Sequence, residues 1–389
     1  MLKAVIFHET ELLCGVKHLD HTPDITTKQS TLIWDLPLRL FHWAMVSVVF
    51  VAAVTGYFFE EWWLDIHAYA GYALGCLLIF RIIWGFIGSY YSRFQTFPLA
   101  KQGVIAHIKS LLSFKPKEYS GHNPIGAWMI VILLATLSLL VITGLVLYGG
   151  QEKHGPFAGL ISFNIAEFSE EIHESLAGIL MTAIAVHVAG VLFETVILKH
   201  ALIQAMINGK KQGADNPKAP TIWHTIAGVT LFAGILLGGL YLATTPSQST
   251  IPSVQNETYK RECSDCHPAY HPSLRLASDW TYIMKHLDDH YGEDATLNAE
   301  KNAEITVFLQ NNDALSFDTE VAHKIGRIST PSMRMSDTRY WKKRHHEIDP
   351  ASFKIAAVGS KVNCNACHQD ADSGHFDDAK IKPPVGVKS

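Results

Sequence analysis

Five long apolar stretches constrain this chain more than any other feature. Each approaches or exceeds the about 20 residues that an α-helix needs to cross the hydrocarbon core of a membrane. They lie near residues 38–58, 66–88, 124–148, 172–197 and 222–244. The sequence therefore predicts five transmembrane helices, and an odd number of spans places the two ends of the chain on opposite sides of the membrane.

The charges between these stretches predict the orientation. The first connection carries Glu60 and Glu61, and the third is also acidic. Basic residues occur in the second and fourth connections, at Arg93, Lys101, Lys109, Lys115, Lys117, Lys199, Lys210, Lys211 and Lys218. Because basic loops stay in the cytoplasm, we expect a protein of the bacterial inner membrane with a cytoplasmic N-terminus and a periplasmic C-terminal part.

Composition divides the chain into four parts. Residues 1–30 are polar, without the apolar core or cleavage site of a signal peptide, and are expected to form a cytoplasmic tail. Residues 31–212 are expected to form a four-helix membrane domain, 213–256 a fifth helix and linker, and 257–389 a small domain of helices and loops. We expect an all-α fold. The net charge of -4 over 389 residues gives no sign of a surface that binds nucleic acid. The five apolar stretches make membrane lipid the expected surrounding.

Four histidines within the apolar stretches are candidates for function, because polar side chains in lipid-spanning helices are costly. His173 and His187 are 14 residues apart on one stretch. That interval is close to four helical turns, or about 21 Å of rise, so both rings lie on one face at different depths. Their depth in the membrane and the direction of each span suggest that His173 lies opposite His67 and that His187 lies opposite His42. Two b-type haems, each with an imidazole on both sides of the iron, would satisfy all four; polar contact between helices is the alternative.

Three further residues lie on the same helix faces or toward the helix ends. Arg81 is 14 residues after His67, at the depth of the inner haem, where a haem propionate would neutralise its charge. Gly56 is 14 residues after His42, and its missing side chain would let a porphyrin edge approach. Glu194 places a carboxylate near the cytoplasmic end of the fourth span. It would handle protons for a quinone or reach out to the interface.

Five stretches carry a family resemblance: WDLPLRLFHW, HAYAGYALGCLLIFRIIWG, GHNPIGAW, EIHESLAGILMTAIAVHVAGVL and INGKK. Over roughly residues 31–212 the chain resembles the di-haem membrane cytochrome b family, which includes bacterial cytochrome b561 and the cytochrome b subunits of nickel-iron hydrogenases. The resemblance implies that the four paired histidines are haem ligands and that a quinone is the redox partner. Family members stop after four spans, so we expect the fifth helix to tether another module.

Two C-x-x-C-H motifs lie in the C-terminal part. They consist of Cys263, Cys266 and His267, and of Cys364, Cys367 and His368. In c-type attachment the two thiols form thioethers to the haem, and the adjacent histidine is the proximal iron ligand. A four-cysteine zinc site and a thioredoxin-like redox pair are the alternatives. A histidine after both pairs favours two covalently bound c-type haems.

The distal ligands follow from a second resemblance. The stretches concerned are ECSDCHPAYHPSL, LDDHYGEDATL, RIST, YWKKRHHEI and NCNACHQDADSGHFD. Over about 257–378 the chain resembles the small dihaem cytochrome c family, which implies His290 and His345 as the distal ligands of the first and second haem. The neighbouring His346 is the alternative to His345. His271 departs from the pattern and is expected at the surface or against a propionate, and short helices are expected at 279–290 and 299–311.

These features together predict electron transfer. Bis-histidine coordination leaves no position for a substrate on iron. The leading hypothesis is a quinol:cytochrome c-type oxidoreductase that passes electrons outward to a soluble periplasmic redox protein. Reverse flow, and a membrane anchor that docks a separate enzyme, are the alternatives. A homodimer and a larger respiratory complex are both compatible with the sequence.

Overall fold

The computed structural model describes residues 30–113, 119–212, 218–243 and 251–388. The predicted cytoplasmic tail, except for Ser30, and residues 244–250 of the predicted linker lie outside these ranges. Within them the regular structure is helical apart from one two-stranded ladder and two isolated β-bridges, which confirms the predicted all-α class.

Seven helices form the membrane part. They are α1 (Leu36–Phe58), α2 (Leu64–Ile87), α3 (Lys101–Leu112), α4 (Pro124–Gly150), α5 (Phe163–Leu192), α6 (Leu202–Asn208) and α7 (Ile222–Ala243). Helices α1, α2, α4, α5 and α7 are long and apolar enough to cross a membrane, as predicted. The short helices α3 and α6 lie in the second and fourth connections and were not predicted. The fourth span begins at Phe163 rather than near residue 172.

The fifth transmembrane helix is part of the bundle as well as a connection to the next domain. Helix α7 packs against α1 and α2. The rings of Phe80 on α2 and Phe232 on α7 meet edge to face with their centroids 5.0 Å apart. The tether expected from the sequence therefore also covers apolar surface of the first two helices.

The end of the bundle with the basic connections is fixed by Asp35. Its buried carboxylate accepts the backbone N–H of Leu38 at 2.7 Å and caps α1. It also accepts the indole N–H of Trp84 at 3.1 Å and the Ser92 hydroxyl at 2.8 Å. Nearby, β1 (Ser30–Leu32) pairs antiparallel with β2 (Lys210–Gln212). A fully satisfied buried carboxylate thus joins the start of α1 to the end of α2.

The C-terminal domain is built from four short helices and many turns. The helices are α8 (Glu257–Cys263), α9 (Ala277–Lys285), α10 (Ala299–Asn311) and α11 (Arg339–Arg344). The prediction of a helix at 299–311 is confirmed. The predicted helix at 279–290 is wrong at its end, because α9 stops at Lys285 and a 3-10 turn follows it.

The C-terminal domain packs against the first and third connections of the membrane part, and we call this contact the seam. Lys153 of the third connection is buried and pairs with Asp318 at 2.7 Å. Arg344 pairs with Glu61 of the first connection. Asp318 also accepts the backbone N–H of Phe163 at 3.0 Å, so the C-terminal domain caps the start of α5.

Candidate haem-binding sites

The two outer histidines of the bundle face each other. The ring centroids of His67 on α2 and His173 on α5 are 6.2 Å apart, and their planes make an angle of 74°. Two imidazoles on opposite sides of one iron, with metal–nitrogen bonds of about 2 Å, bring their centroids to about 6 Å. The spacing therefore fits one iron between these rings.

Hydrogen bonds fix which nitrogen of each outer ring is free for iron. His67 Nδ1 lies 3.0 Å from the Ala52 carbonyl oxygen, which can only accept, so Nδ1 carries the proton. His173 Nδ1 lies 3.0 Å from the Thr143 hydroxyl, whose own hydrogen is directed to the Leu139 carbonyl at 2.9 Å. In both rings the Nε2 lone pair is left for a metal.

The two supporting threonines are each followed by a glycine that approaches the ring. Thr55 Oγ1 lies 3.3 Å from His67 Nδ1, and a Cβ on Gly56 would lie 3.1 Å from the His67 ring. A Cβ on Gly144 would lie 3.2 Å from the His173 ring. Gly56 was expected to face a porphyrin edge. The structure instead places it behind the predicted ligand, and Thr55, Thr143 and Gly144 were not predicted.

The inner pair lies deeper toward the end with the basic connections. His42 on α1 is within electrostatic reach of His187 on α5. His42 Nδ1 is buried and has no hydrogen-bond partner in the described part of the chain. The structure thus places the second predicted pair near each other. Among the described residues, His42 Nδ1 lacks the hydrogen bond that Nδ1 of each outer ring makes.

Arg81 is almost fully buried, with 2% of its surface exposed. Its guanidinium lies 4.5 Å from the centre of the Phe94 ring and within electrostatic reach of Asp35 and His122. One nitrogen, Nη1, has no hydrogen-bond partner among the residues that the structure describes. An unused buried donor fits the predicted contact with a haem propionate.

Glu194 does not extend freely toward the interface. It lies in a π-helical turn at the end of α5, where Oε1 accepts from the Asn123 amide at 2.6 Å. Its Oε2 lies 3.3 Å from His200 Nδ1. The nearby His107 is almost fully buried, with 2% of its surface exposed. Neither of its ring nitrogens has a hydrogen-bond partner within the described ranges. Burial lowers the pKa of His107, and the Glu194 carboxylate opposes that shift.

The C-terminal domain encloses a cavity of about 1460 Å³. Both C-x-x-C-H motifs line it, and Glu60, Glu61 and Trp62 of the membrane part reach its wall. Ordinary small-molecule pockets measure about 300–1,000 Å³, so this cavity has room for two large cofactors. A structural zinc site requires no such space.

Cysteine chemistry also disfavours a redox pair. Burial, with smaller effects of the Glu262 and Asp265 carboxylates, raises the pKa of the Cys263 thiol to about 11. Burial likewise raises the pKa of Cys364 to about 11. Thioredoxin-like pairs need a lowered thiol pKa, whereas the pKa values of Cys263 and Cys364 are raised.

The first pair of predicted c-haem ligands lies across this cavity. The ring centroids of His267 and His290 are 6.3 Å apart. His267 Nδ1 lies 2.9 Å from the Pro268 carbonyl oxygen, which directs its Nε2 away from the backbone. His290 follows the turn after α9, and a backbone bridge to Glu293 fixes its position.

The second pair favours His345 over His346. The rings of His345 and His368 have centroids 6.2 Å apart. His345 stacks on Trp341 at 4.3 Å and donates from Nδ1 to the Trp341 carbonyl at 2.9 Å. The side chain of His346 is 65% exposed and lies 3.6 Å from Glu347.

Two other residues near the cavity differ from expectation. His271 is buried rather than at the surface, and its Nδ1 lies 2.8 Å from the Ser273 hydroxyl. Arg275, which was not predicted, lines the cavity with 1% of its surface exposed. It donates to the Met333 carbonyl at 2.8 Å, and its Nε has no partner in the part of the chain that is described. Arg275 is a further candidate for a propionate contact.

Three ring pairs, with centroids 6.2 to 6.3 Å apart, fit haem, and His42 lies near His187 as a further candidate pair. Bound haem would supply one-electron redox centres that the side chains themselves lack. The chain contributes ring pairs at matching distances, buried cationic donors and two pairs of thiols.

Two family models match separate segments of the chain. Residues 33–209 match the family model described as prokaryotic cytochrome b561, and residues 259–376 match that of dihaem cytochrome c. A probable Ni/Fe-hydrogenase B-type cytochrome subunit of Rhizobium leguminosarum bv. viciae is 26% identical over 229 residues, 50% of this chain and 94% of that protein. A probable Ni/Fe-hydrogenase 1 B-type cytochrome subunit of Escherichia coli (strain K12) is 29% identical over 214 residues, 46% of this chain and 90% of that protein.

The chain is also similar in sequence to a solved dihaem cytochrome c. The dihaem cytochrome c from Rhodobacter sphaeroides is 36% identical to this chain, with a TM-score of 0.28. The match covers 32% of this chain and 98% of the Rhodobacter protein. The segments matched by the two family models do not overlap.

Replacing Thr143 with valine should weaken the outer b-haem site. The variant loses the acceptor of the His173 Nδ1–H, and loss of such support typically costs about 10- to 100-fold in metal affinity. The measurement is the b-haem content and the redox potential of each b haem. Thr182→Val is the matched control, because its hydroxyl only contacts the Gly178 carbonyl. Equal effects of both variants would contradict the proposed support.

Variants of the two adjacent histidines should separate their roles. His345→Ala should convert the second c haem from a low-spin to a high-spin spectrum, because it removes the ring opposite His368. His346→Ala should leave the spectrum unchanged, because that side chain is exposed. Electron paramagnetic resonance of the oxidised protein measures both. The opposite result would assign the distal position to His346.

Proposed function

The chain joins a prokaryotic cytochrome b561 domain to a dihaem cytochrome c domain, and from this premise we propose that it transfers electrons between the quinone pool and a soluble periplasmic redox protein. Two non-covalent b-type haems are assigned to His42 with His187 and to His67 with His173. Two covalent c-type haems are assigned to both C-x-x-C-H motifs, with His290 and His345 as distal ligands. In the favoured direction the protein acts as a quinol:cytochrome c-type oxidoreductase.

One observation carries this proposal, namely that the c-haem cavity abuts the first connection of the membrane part. Trp62 lines the cavity, and His67 follows it by only five residues. Five residues of helix correspond to roughly 8 Å of rise, so the outer b-haem site and the cavity are close enough for direct electron transfer. The ion pair of Arg344 with Glu61 holds the two parts together at this position.

The direction of flow rests on charge. The seam lies at the end with the acidic first and third connections, and the basic second and fourth connections lie at the other end. The positive-inside rule therefore places the C-terminal domain in the periplasm of the bacterial inner membrane. When the membrane potential is negative inside, an electron that moves outward releases about 2.3 kcal/mol of free energy per 100 mV. This favours quinol oxidation over the reverse reaction.

The quinone site is assigned to the end that carries Glu194. Oxidation of a quinol releases protons, so the site needs a group that can accept them. The Glu194 carboxylate, held between Asn123 and His200, is such a group, and the buried His107 lies within its electrostatic reach. π-Helical turns such as the one that carries Glu194 are common at functional sites.

A second candidate function is that of an anchor for a separate redox enzyme. It is favoured by the printed names of the relatives, which describe cytochrome subunits of Ni/Fe-hydrogenases. Against it, the C-terminal domain already covers parts of the first and third connections through Glu61, Lys153 and His154. An enzyme subunit that copurifies in a fixed ratio would support the anchor role.

Replacing His173 with alanine tests the electron path. With a short-chain quinol as donor, the variant should lose reduction of the c haems, because the outer b haem connects the bundle to the cavity. Absorbance of the b and c haems is followed separately after mixing. Dithionite should still reduce the c haems, which shows that they are loaded. Unchanged c-haem reduction by quinol in a variant that lacks the outer b haem would contradict the path.

Replacing Glu194 with glutamine should slow quinol-driven haem reduction by about 100-fold, since a positioned proton acceptor typically contributes 10²–10⁴-fold. The amide keeps the size of the side chain and cannot take up a proton. Glu171→Gln, an exposed position on the same helix, is the matched control. Equal rates in both variants and the unmodified protein would remove Glu194 from the quinone site.

A further inference from the structure

The seam contains three potential metal ligands from both parts of the chain. His154 comes from the third membrane connection, whereas His375 and Asp377 come from the C-terminal domain. One ligand atom of each lies within 4.8 Å of the others. His154 Nε2 is 2.8 Å from Asp377 Oδ2, and the centroids of the two imidazole rings are 5.5 Å apart. None of the three belongs to the haem sites assigned above.

The donor set suits a transition-metal ion. Two imidazoles and one carboxylate bind Zn²⁺ and similar ions, and three protein ligands leave a fourth position for water. Tetrahedral bonds of about 2.0–2.2 Å place ligand atoms about 3.5 Å apart, so the cluster has to contract by about 1 Å. Loop side chains can make such a movement.

The hydrogen bonds of His375 leave one nitrogen facing a carboxylate. His375 Nε2 lies 2.7 Å from the Glu152 carbonyl oxygen, which can only accept, so Nε2 carries the proton. In the neutral ring Nδ1 then presents a lone pair, and Asp370 Oδ2 lies 3.7 Å away from it. Two electron-rich atoms at this distance repel unless a cation lies near them.

Asp370 gives independent support. Its Oδ2 accepts the backbone N–H of Asp377 at 3.0 Å, which holds the carboxylate beside the cluster. Its Oδ1 is buried and has no hydrogen-bond partner in the ranges that the structure describes. The nitrogen of a ligating histidine that does not bind the metal is ordinarily held by a hydrogen bond, and the Glu152 carbonyl oxygen holds that of His375. Asp370 Oδ2 faces the other nitrogen, Nδ1, and would complete the coordination.

We propose that His154, His375 and Asp377 bind one divalent transition-metal ion that bridges the membrane part and the C-terminal domain. The ion takes the place of the hydrogen bond between His154 Nε2 and Asp377 Oδ2, and the neutral imidazole of His154 then carries its one proton on Nδ1. Phe376, between two of the ligands, has its ring centroid 5.2 Å from that of His368, so the ion lies close to the second c-haem site. A positive charge there stabilises the reduced state and should raise the potential of that haem.

Zinc binding to the full-length, haem-loaded protein in detergent tests this inference. After treatment with a chelator, the protein is titrated with Zn²⁺, and bound zinc is measured by calorimetry and metal analysis. We expect one Zn²⁺ per chain, unaffected by excess Mg²⁺, and a higher redox potential of the second c haem. His154→Ala and His375→Ala should each weaken binding at least 100-fold, and Asp370→Asn about 10- to 100-fold.

Matched controls decide what the result means. His286→Ala removes an exposed histidine of the same domain outside the cluster and should bind zinc like the unmodified protein. Unchanged affinity in His154→Ala would overturn a bridging site. If a variant loses haem, X-ray absorption at the zinc edge of the unmodified protein decides instead. Two imidazoles with oxygen are expected, and sulfur or oxygen-only ligation would overturn the proposal. Neither readout uses quinol, so the outcome is separate from that of the proposed electron path.

Discussion

Two imidazole rings that face each other about 6 Å apart inside an apolar bundle are the constraint on which the rest of the structure depends. A polar ring in a lipid-spanning helix is costly unless its nitrogens are bound. His67 and His173 come from α2 and α5. Their Nδ1–H groups donate hydrogen bonds to a backbone carbonyl oxygen of α1 and to a threonine hydroxyl of α4. All four helices therefore contribute to one site, and this site fixes the rotation of each helix about its own axis. The glycines behind the rings let the supporting helices come close enough to do this.

The seam depends on that arrangement in turn. Because α1 ends and α2 begins beside the outer pair, their connection lies directly above it, against the c-haem cavity. Exposed ion pairs contribute only about 0–1 kcal/mol each, so no single contact fixes the domain. The buried Lys153 with Asp318, the cap on α5 and Arg344 between Glu61 and Asp378 act together. Several weak contacts on two connections restrain rotation better than one strong contact at a point.

Local pattern was sufficient for the five spans. Helical spacing, which places residues 14 apart on one face, was the basis for the predicted histidine pairs. It could not identify Thr55 and Thr143, since threonine in a helix ordinarily bonds to its own preceding turn, as both also do here. The repeated Thr-Gly dipeptide at 55–56 and 143–144 was the available signal. The start of α5 could not be predicted either. Its first turns are acidic and are capped by Asp318, which lies far away in the sequence.

The proposed proton-handling groups and the electron outlet lie at opposite ends of the bundle. Glu194 is at the end with the basic connections, whereas the c-haem cavity is at the seam. If the first end is cytoplasmic, quinol oxidation there leaves protons inside while electrons leave outward. The proton left inside and the electron moved outside are the two halves of one charge separation, so each electron transferred draws on the membrane potential at about 2.3 kcal/mol per 100 mV. The architecture then suits a protein that discharges excess quinol to a periplasmic acceptor rather than one that conserves energy.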